Sequence, residues 1–352
     1  MSNLTLLATC SIMMMLARYF ALCLLLASGA TARLIRHTNT STPLPNHLVA
    51  QFADDVWLEN IAIRSNGNLL LTTLQPNASL YEVSNPTSKY PTVSRLLTID
   101  TIDGLTGITE TARDVFIFTG ANFSWTTGGT QGTTGVWKID LGQSYPEPKL
   151  VTYLPGSLLP NGVAAVPQNK SIVLIADAQL GLVWRVDSIT GEYDVVAKLK
   201  DMGNFANGST FALGIDGMRI HRGNLYWTNN ALTSLYKLPI TRTGSPVPGA
   251  EAKLVAKPPV AATDDFIFGP GNSDIAWLTT NFYNELLAVM PNGDSITVAG
   301  GANSFEVATA TACRFGRTRW DATTLYVTTG PAKINGVTKG GKVQAINLSG
   351  FI

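Results

Sequence analysis

Short apolar runs that alternate with Gly, Pro and Asn turns dominate the chain. Residues 159–199 hold four such runs, including a β-branched run at 171–177. Runs of this length and composition, bounded by turn residues, predict β-strands, and no 11-residue stretch of the segment keeps a helical period. The segment therefore predicts a four-stranded antiparallel meander of about 40 residues, which is the size of one β-propeller blade.

The same pattern recurs at a regular spacing. Its second strand starts near positions 69, 115, 172, 225, 275 and 325, which is a period of about 50 residues. Six copies predict an all-β fold, a six-bladed β-propeller of four-stranded antiparallel blades, because closure into a ring removes exposed sheet edges. We expect residues 48–52 to close the ring by pairing with the last strand, at 342–346.

The first 32 residues are expected to be a signal peptide. Residues 11–27 are almost wholly apolar apart from Arg18, and 30–32 supply a small-x-small cleavage site. An uncleaved membrane anchor is the alternative, but the apolar run after Arg18 is short for a bilayer. Residues 33–352 are then expected to form a single propeller domain, secreted or in the lumen of the secretory pathway, with no membrane partner after cleavage.

Glycosylation is consistent with that pathway, because residues 33–352 contain six Asn-x-Ser/Thr acceptors. These are Asn39, Asn77, Asn122, Asn169, Asn207 and Asn347. Cys10 and Cys23 would leave with the signal, so Cys313 is the one cysteine of the mature chain and no disulfide forms within it. A buried structural role is favoured for Cys313 over catalysis, since no histidine is near it in sequence.

Charge composition bears on the partners. The net charge is +1 and charged residues make up 14% of the chain, with no run of like charges. Nucleic acid is not expected as a partner, because phosphate contacts need a basic stripe. The low charge and the 45% of apolar residues favour an apolar small-molecule substrate.

Three polar residues occupy equivalent places at the start of predicted inner strands. In a propeller these strands line the central channel, so Glu59, Asn161 and Asp216 should converge on one mouth. Oxygen ligands from separate blades suit Ca²⁺ or another hard divalent cation. The alternative is that Asn161-Gly162 and Asp216-Gly217 are turn dipeptides. No organic cofactor is expected, because the chain has no phosphate-binding loop and no Rossmann glycine pattern.

These motifs carry a resemblance to a known family. Residues 160–163 and 215–218, together with Glu59, resemble the senescence-marker-protein-30/gluconolactonase family of six-bladed propellers, in which Glu, Asn and Asp hold a divalent metal. The resemblance implies Glu59, Asn161 and Asp216 as metal ligands. The segment that contacts the sugar lactone in that family is absent, and residues 120–129 stand in its place, which argues against sugar-lactone specificity.

A closer resemblance is to signal-bearing fungal propellers of secondary-metabolite pathways. It rests on residues 211–217, 225–229 and 312–317. That group includes hetero-Diels–Alderases, which join a reactive tropolone quinone methide to a terpene alkene. The resemblance implies a pericyclic catalyst that acts on apolar small molecules.

Aromatic residues are the candidates for substrate binding, because a cycloaddition depends on holding two partners in reacting geometry. Phe266 and Phe268 open the fifth repeat and are expected to point at the channel mouth. Phe282 and Tyr283 follow a second strand, on a loop expected to overhang the same mouth, and Trp125 is a further candidate. A place in the core is the alternative for each.

The predicted catalytic set consists of Arg314, Arg317 and Asp265. The two arginines would donate hydrogen bonds to a carbonyl that gains electron density, and Asp265 directly precedes Phe266. Surface charge is the alternative for the arginines. A Ser-His-Asp triad is not supported, because His221 lies in a predicted turn and no Gly-x-Ser-x-Gly elbow is present.

Three functional hypotheses remain open. The leading one is a secreted-pathway enzyme of fungal natural-product biosynthesis that catalyses a hetero-Diels–Alder-type cycloaddition of a quinone-methide-like intermediate with an apolar alkene or terpene. The second is a metal-dependent lactonase or esterase, in which the cation polarises the carbonyl and activates water. The third is a non-catalytic ligand-binding propeller.

Overall fold

A computed structural model describes residues 44–205 and 212–351, and the predicted signal peptide lies outside them. The described residues form 28 strands and one short 3₁₀ turn at Lys200–Met202. In chain order the strands are β1 (Asn46–Gln51), β2 (Trp57–Ile63), β3 (Leu69–Gln75), β4 (Ser79–Ser84), β5 (Thr92–Thr98), β6 (Gly104–Ala112), β7 (Val115–Ala121), β8 (Phe123–Ser124), β9 (Gly128–Gly129), β10 (Gly135–Asp140), β11 (Lys149–Tyr153), β12 (Pro160–Val166), β13 (Asn169–Asp177), β14 (Leu182–Asp187), β15 (Tyr193–Ala197), β16 (Ile215–His221), β17 (Asn224–Asn229), β18 (Ser234–Pro239), β19 (Lys253–Ala256), β20 (Phe266–Phe268), β21 (Ala276–Thr279), β22 (Glu285–Val289), β23 (Ser295–Gly300), β24 (Ala310–Phe315), β25 (Thr324–Thr329), β26 (Ala332–Ile334), β27 (Val337–Lys339) and β28 (Lys342–Asn347).

Six four-stranded antiparallel sheets follow one another around a ring. Five are sequential: β2-β3-β4-β5, β6-β7-β10-β11, β12-β13-β14-β15, β16-β17-β18-β19 and β20-β21-β22-β23. The sixth is β24-β25-β28-β1, and two short ribbons, β8-β9 and β26-β27, project from loops. The predicted six-bladed propeller is confirmed. Among the described residues, none of the helical structure has the length and apolar character needed to cross a bilayer.

The ring is closed by its two ends. β1 pairs antiparallel with β28, with Asn46 opposite Ile346 and Gln51 opposite Lys342. The predicted closure is thereby confirmed, with the first strand beginning slightly earlier than expected. The blades themselves pack through apolar faces: Leu58 and Ile61 of the first blade share a cluster with Tyr326 of the sixth. Burial between blades, not within one sheet, therefore supplies the core.

Threonine hydroxyl groups on first and second strands join several blades to their neighbours. The Thr72 hydroxyl donates to the Thr106 carbonyl at 2.6 Å, and the Thr279 hydroxyl donates to the Thr311 carbonyl at 2.9 Å. Thr311 in turn donates to the Leu58 carbonyl at 2.7 Å. Each bond contributes about 1 kcal/mol. Together they fix the inner strands, and hence the side chains that start them, relative to one another.

Glycines let adjacent inner strands approach closely around the channel. A Cβ atom on Gly162 would lie 2.5 Å from the Asp216 carbonyl oxygen, and one on Gly217 would lie 2.4 Å from the Asp265 Oδ1. Both glycines lie inside strands, β12 and β16. Asn161-Gly162 and Asp216-Gly217 are therefore not turns, and the glycine is required by strand contact.

Candidate functional site

Five blades each place one buried polar side chain at the same end of the channel. Four come from the inner strands β2, β6, β12 and β16, and the fifth directly precedes β20. We call this end the acidic mouth; its ring consists of Glu59, Thr106, Asn161, Asp216 and Asp264. The structure thus brings the three predicted metal ligands together.

Aromatic side chains form a wall beside this ring. Trp57 is buried and its ring lies 4.8 Å from that of Trp125 and 5.8 Å from that of Phe282, centroid to centroid. Trp125 and Phe282 are 43% and 66% exposed, so they stand at the rim. With the polar ring they enclose a cavity of about 100 Å³. Two of the predicted substrate-binding residues, Trp125 and Phe282, therefore lie where an apolar ligand would enter.

Burial changes the acidity of the carboxyl groups at the acidic mouth. Burial raises the pKa of Glu59 to about 7, although hydrogen bonds from Trp57 Nε1, at 2.6 Å, and from Asn161 oppose the rise. Burial and the charge of Glu59 raise the pKa of Asp216 well above its ordinary value. The pKa of Asp264 is raised by burial and by the charges of Asp216 and Glu59. Three carboxylates cannot all ionise here unless a cation compensates them.

The donor set fits an oxygen-seeking cation. Among the described residues, no three His, Cys, Asp or Glu side chains are grouped as metal ligands, so a cation would depend on the Asn161 amide as well as on Glu59 and Asp216. The Asp216 Oδ1 is buried and has no hydrogen-bond partner. Two carboxylates and an amide oxygen, with water, match what Ca²⁺ prefers, and metal binding stays a prediction.

The predicted catalytic arginines do not lie at the acidic mouth. Arg314 and Arg317 line a cavity of about 780 Å³ at the other end of the channel. β24 begins at Ala310, and a strand advances about 3.3 Å per residue, so Arg314 is carried towards the far end. We call this end the basic mouth; its cationic side chains are Arg113, Lys170, Arg219, Arg314 and Arg317.

Asp265 lies in the channel below the basic mouth. It accepts hydrogen bonds from Arg219 Nη2 at 2.6 Å and, more weakly, from Arg314 Nη1 at 3.4 Å. Burial acts to raise the pKa of Asp265, but the two guanidinium groups outweigh it and hold that pKa below its ordinary value. Successive residues of an extended chain point in opposite directions. The carboxylate at the acidic mouth is therefore Asp264, one residue before the predicted one.

The other predicted aromatic residues also lie elsewhere. Phe266 is fully buried between blades, with the Arg219 guanidinium 5.7 Å from its ring centre. Phe268 stacks on His221 with the ring centroids 4.1 Å apart, next to the basic mouth. Tyr283 is 38% exposed and does not line the acidic-mouth cavity. The expectation that Phe266 and Phe268 point at the same mouth as the metal ligands is wrong, because β20 directs them away from it.

Sequence reasoning missed Trp57, Asp264 and Arg219. Trp57 precedes Glu59 by two residues, so strand alternation places both on one face. Asp264 would follow from aligning Asp264-Asp265 with Asp216-Gly217 as the starts of neighbouring repeats. These two signals were present in the sequence, whereas the pairing of Arg219 with Asp265 is seen only in the structure.

Comparison with known proteins gives the family. No model of a protein family matches the chain. A protein of Phoma sp. named "Putative hetero-Diels-Alderase" is 33% identical over 317 residues, which covers 82% of this chain and 88% of that protein. "Putative hetero-Diels-Alderase asR5" of Sarocladium schorii is 30% identical over 346 residues, covering 88% of this chain and 85% of that protein.

Solved structures agree on the fold. The gluconolactonase XC5397 of Xanthomonas campestris superposes with a TM-score of 0.59 at 13% identity, covering 88% of this chain and 92% of that one. At such low identity the likeness shows the propeller fold alone. The identity and coverage of the two fungal relatives show more: the chain belongs to the hetero-Diels-Alderase family.

Proposed function

We propose that the protein catalyses a hetero-Diels–Alder cycloaddition in fungal natural-product biosynthesis, joining a quinone-methide-like heterodiene to an apolar alkene or terpene at the acidic mouth. One C–C and one C–O bond form, and three π bonds become one, with no gain or loss of protons or electrons. The observation that carries the proposal is an aromatic wall directly beside buried carboxyl groups, in a chain whose relatives bear this name.

The aromatic wall would hold the two reactants together. Trp57 and the rim residues Trp125 and Phe282 offer apolar faces within ring-contact distance of one another. Holding two partners in reacting geometry removes much of the entropic barrier of a bimolecular reaction. A cavity of about 100 Å³ is smaller than most ligand pockets. It would admit the reacting end of one substrate, while Trp125 and Phe282 contact the remainder outside.

The polar ring would act on the heterodiene oxygen, which gains electron density in the transition state. A donor aimed at that oxygen in a water-poor site lowers the barrier. The Asp216 Oδ1 makes no hydrogen bond within the protein, so a protonated Asp216 has a donor to offer. A divalent cation held by Glu59, Asn161 and Asp216 would polarise the same oxygen when bound.

The larger cavity, at the basic mouth, is less suited to this chemistry. Arg314 already donates to Asp265 and to the Cys313 carbonyl, and Arg317 already donates to Glu110 and to a backbone oxygen. Each guanidinium group is thus already paired with a carboxylate, which reduces the positive charge that a substrate carbonyl would meet. Size alone therefore does not decide between the two ends.

The convergence of Glu59, Asn161 and Asp216 also supports a second candidate, a metal-dependent lactonase or esterase.

The sequence at the N terminus supports passage through the secretory pathway, which we propose as the site of action.

The test is a cycloaddition assay with an ortho-quinone methide precursor and an alkene, read as yield and stereoisomer ratio on a chiral column. We expect the wild-type protein to enrich one isomer over a no-enzyme control. Phe282→Ala should lower both yield and stereochemical purity, because Phe282 contacts Trp57 at the rim. Tyr283→Ala is the matched control, since Tyr283 neighbours it in sequence without lining the cavity.

A wild-type product ratio equal to the no-enzyme ratio would overturn the proposal. Metal-dependent opening of simple lactones by the same preparation would then establish the second candidate. Neither activity, with tight binding of the apolar partner, would indicate a ligand-binding propeller.

A further inference from the structure

The basic mouth holds more positive charge than its own carboxylates compensate. Its cavity of about 780 Å³ is lined by five cationic side chains and one carboxylate, Glu110. Asp265, deeper in the channel, is shared by Arg219 and Arg314. Among the described residues, Arg113 and Lys170 form no ion pair, whereas Arg317 pairs with Glu110.

Arg219 lines this cavity and carries an unmet hydrogen-bond donor. Its side chain is 10% exposed, and its Nε is buried without a hydrogen-bond partner. An unpaired buried donor costs roughly 1–3 kcal/mol. Two guanidinium groups, those of Arg219 and Arg314, share one carboxylate, which leaves a net positive charge in a water-poor place. Burial and the charge of Arg219 lower the pKa of Arg314 to about 10.

Apolar side chains form the remaining wall. Ala165, Ile220 and Ile267 line the cavity and are partly exposed. The volume of about 780 Å³ is far more than an inorganic ion fills and lies within the range of small organic ligand sites. The positive charge therefore suits an anionic group of a ligand, and the apolar wall suits an apolar part of the same ligand.

We propose that the basic mouth is a second binding site, which takes an organic carboxylate with an apolar body. The carboxylate would lie against Arg219 and the unpaired Lys170 and Arg113, since planar carboxylates match guanidinium groups. The body would contact Ile220 and Ile267. This site is separate from the acidic mouth and does not depend on the reaction proposed there.

The probe is 4-phenylbutyrate, titrated into the full chain by calorimetry in low-salt buffer, against the neutral analogue 4-phenylbutyramide and against inorganic phosphate. We expect measurable binding of the carboxylate and at least about tenfold weaker binding of the amide, because only the carboxylate compensates the positive charge. Raising the salt concentration should weaken binding of the carboxylate.

Variants locate the site. The double substitution Arg113→Gln and Lys170→Gln changes exposed residues, so the fold should persist, and we expect about tenfold weaker binding. Arg219→Gln should abolish binding, with circular dichroism as the check that this variant folds; if it does not, the double variant decides. Lys253→Gln, on the outer strand β19 and also exposed, is the matched control and should bind as wild type does.

Equal binding of acid and amide would overturn the proposal, as would an equal loss of binding in the Lys253 control. Binding of phosphate without binding of 4-phenylbutyrate would also overturn it, since it would leave the apolar walls unused.

Discussion

The two mouths of the channel are built by the same inner strands yet carry opposite charge. The acidic mouth has three carboxyl groups, on Glu59, Asp216 and Asp264, and no cationic side chain in its lining. The basic mouth has five cationic side chains and Glu110. Strand β16 contributes one residue to each mouth: Asp216, near its start, lies at the acidic mouth, and Arg219, three residues later, lies at the basic mouth. The overall charge of +1 conceals this polarity, so net charge is a poor guide to what a propeller binds.

Close contact between adjacent inner strands positions the side chains of both mouths. Breaking this contact should have the largest effect on stability. Gly162→Val would place a Cβ about 2.5 Å from the Asp216 carbonyl oxygen. We expect a loss of more than about 5 kcal/mol in the free energy of unfolding, enough to prevent folding. Yield of soluble protein and circular dichroism measure it. Gly156→Ala, whose Cβ would meet Trp184 at an ordinary 3.4 Å, should fold normally.

Removing a carboxylate should have opposite effects at the two ends. Asp265→Ala leaves Arg219 and Arg314 buried without a counter-charge, which should cost about 3–5 kcal/mol. In cation-free buffer at pH 8, Asp216→Asn removes one of three mutually repelling carboxyl groups and should raise the melting temperature. Chemical denaturation measures the loss in Asp265→Ala, and thermal denaturation measures the gain in Asp216→Asn. Equal destabilisation would show that the charges do not control stability as the geometry indicates.

The acidic mouth should make the protein less stable as pH rises. Burial raises the pKa of Glu59 from 4.5 to about 7, so between these values the folded protein holds a proton that the unfolded chain has released. The contribution of this proton to the free energy of unfolding is complete below pH 4.5. It is lost as the pH rises through 7, by at most about 3 kcal/mol. Melting temperatures from pH 5 to 8 in cation-free buffer measure it. Glu59→Gln should reduce the slope, and the slope that remains belongs to Asp216 and Asp264, whose pKa values are also raised; an unchanged slope would contradict the assignment.

A divalent cation should offset that loss. We expect Ca²⁺ to raise the melting temperature at pH 8, by an amount equivalent to about 2.7 kcal/mol when its concentration is 100 times the Kd. The rise should be smaller at pH 5, where protons occupy the carboxyl groups, and EDTA should reverse it. Glu59→Gln should bind the ion more weakly. No response to Ca²⁺ or to EDTA would leave these residues as polar groups of the pocket.

The sequence predicted the ring well and the second mouth poorly. Repeat spacing and the closing strand follow from apolar periodicity, which burial between blades enforces. Glu59, Asn161 and Asp216 were recognisable because each starts an inner strand. The side of the channel that Arg314 reaches depends on its distance along β24, and the choice between Asp264 and Asp265 depends on a one-residue register. The local sequence pattern does not determine either feature, because both depend on how packing against the neighbouring blades positions the strand along the channel.

The pairing of β1 with β28 also has a consequence for how the chain is made. The sixth blade takes its outermost strand from residues 46–51 and its neighbour from residues 342–347, so it is complete only after residues 342–347 have left the ribosome. Contacts of such large sequence separation slow folding. Until then β1 and β25 lack the strand between them, and unpaired edges of this kind invite association with other chains. We therefore expect the protein to be more prone to association during synthesis than after the ring has closed.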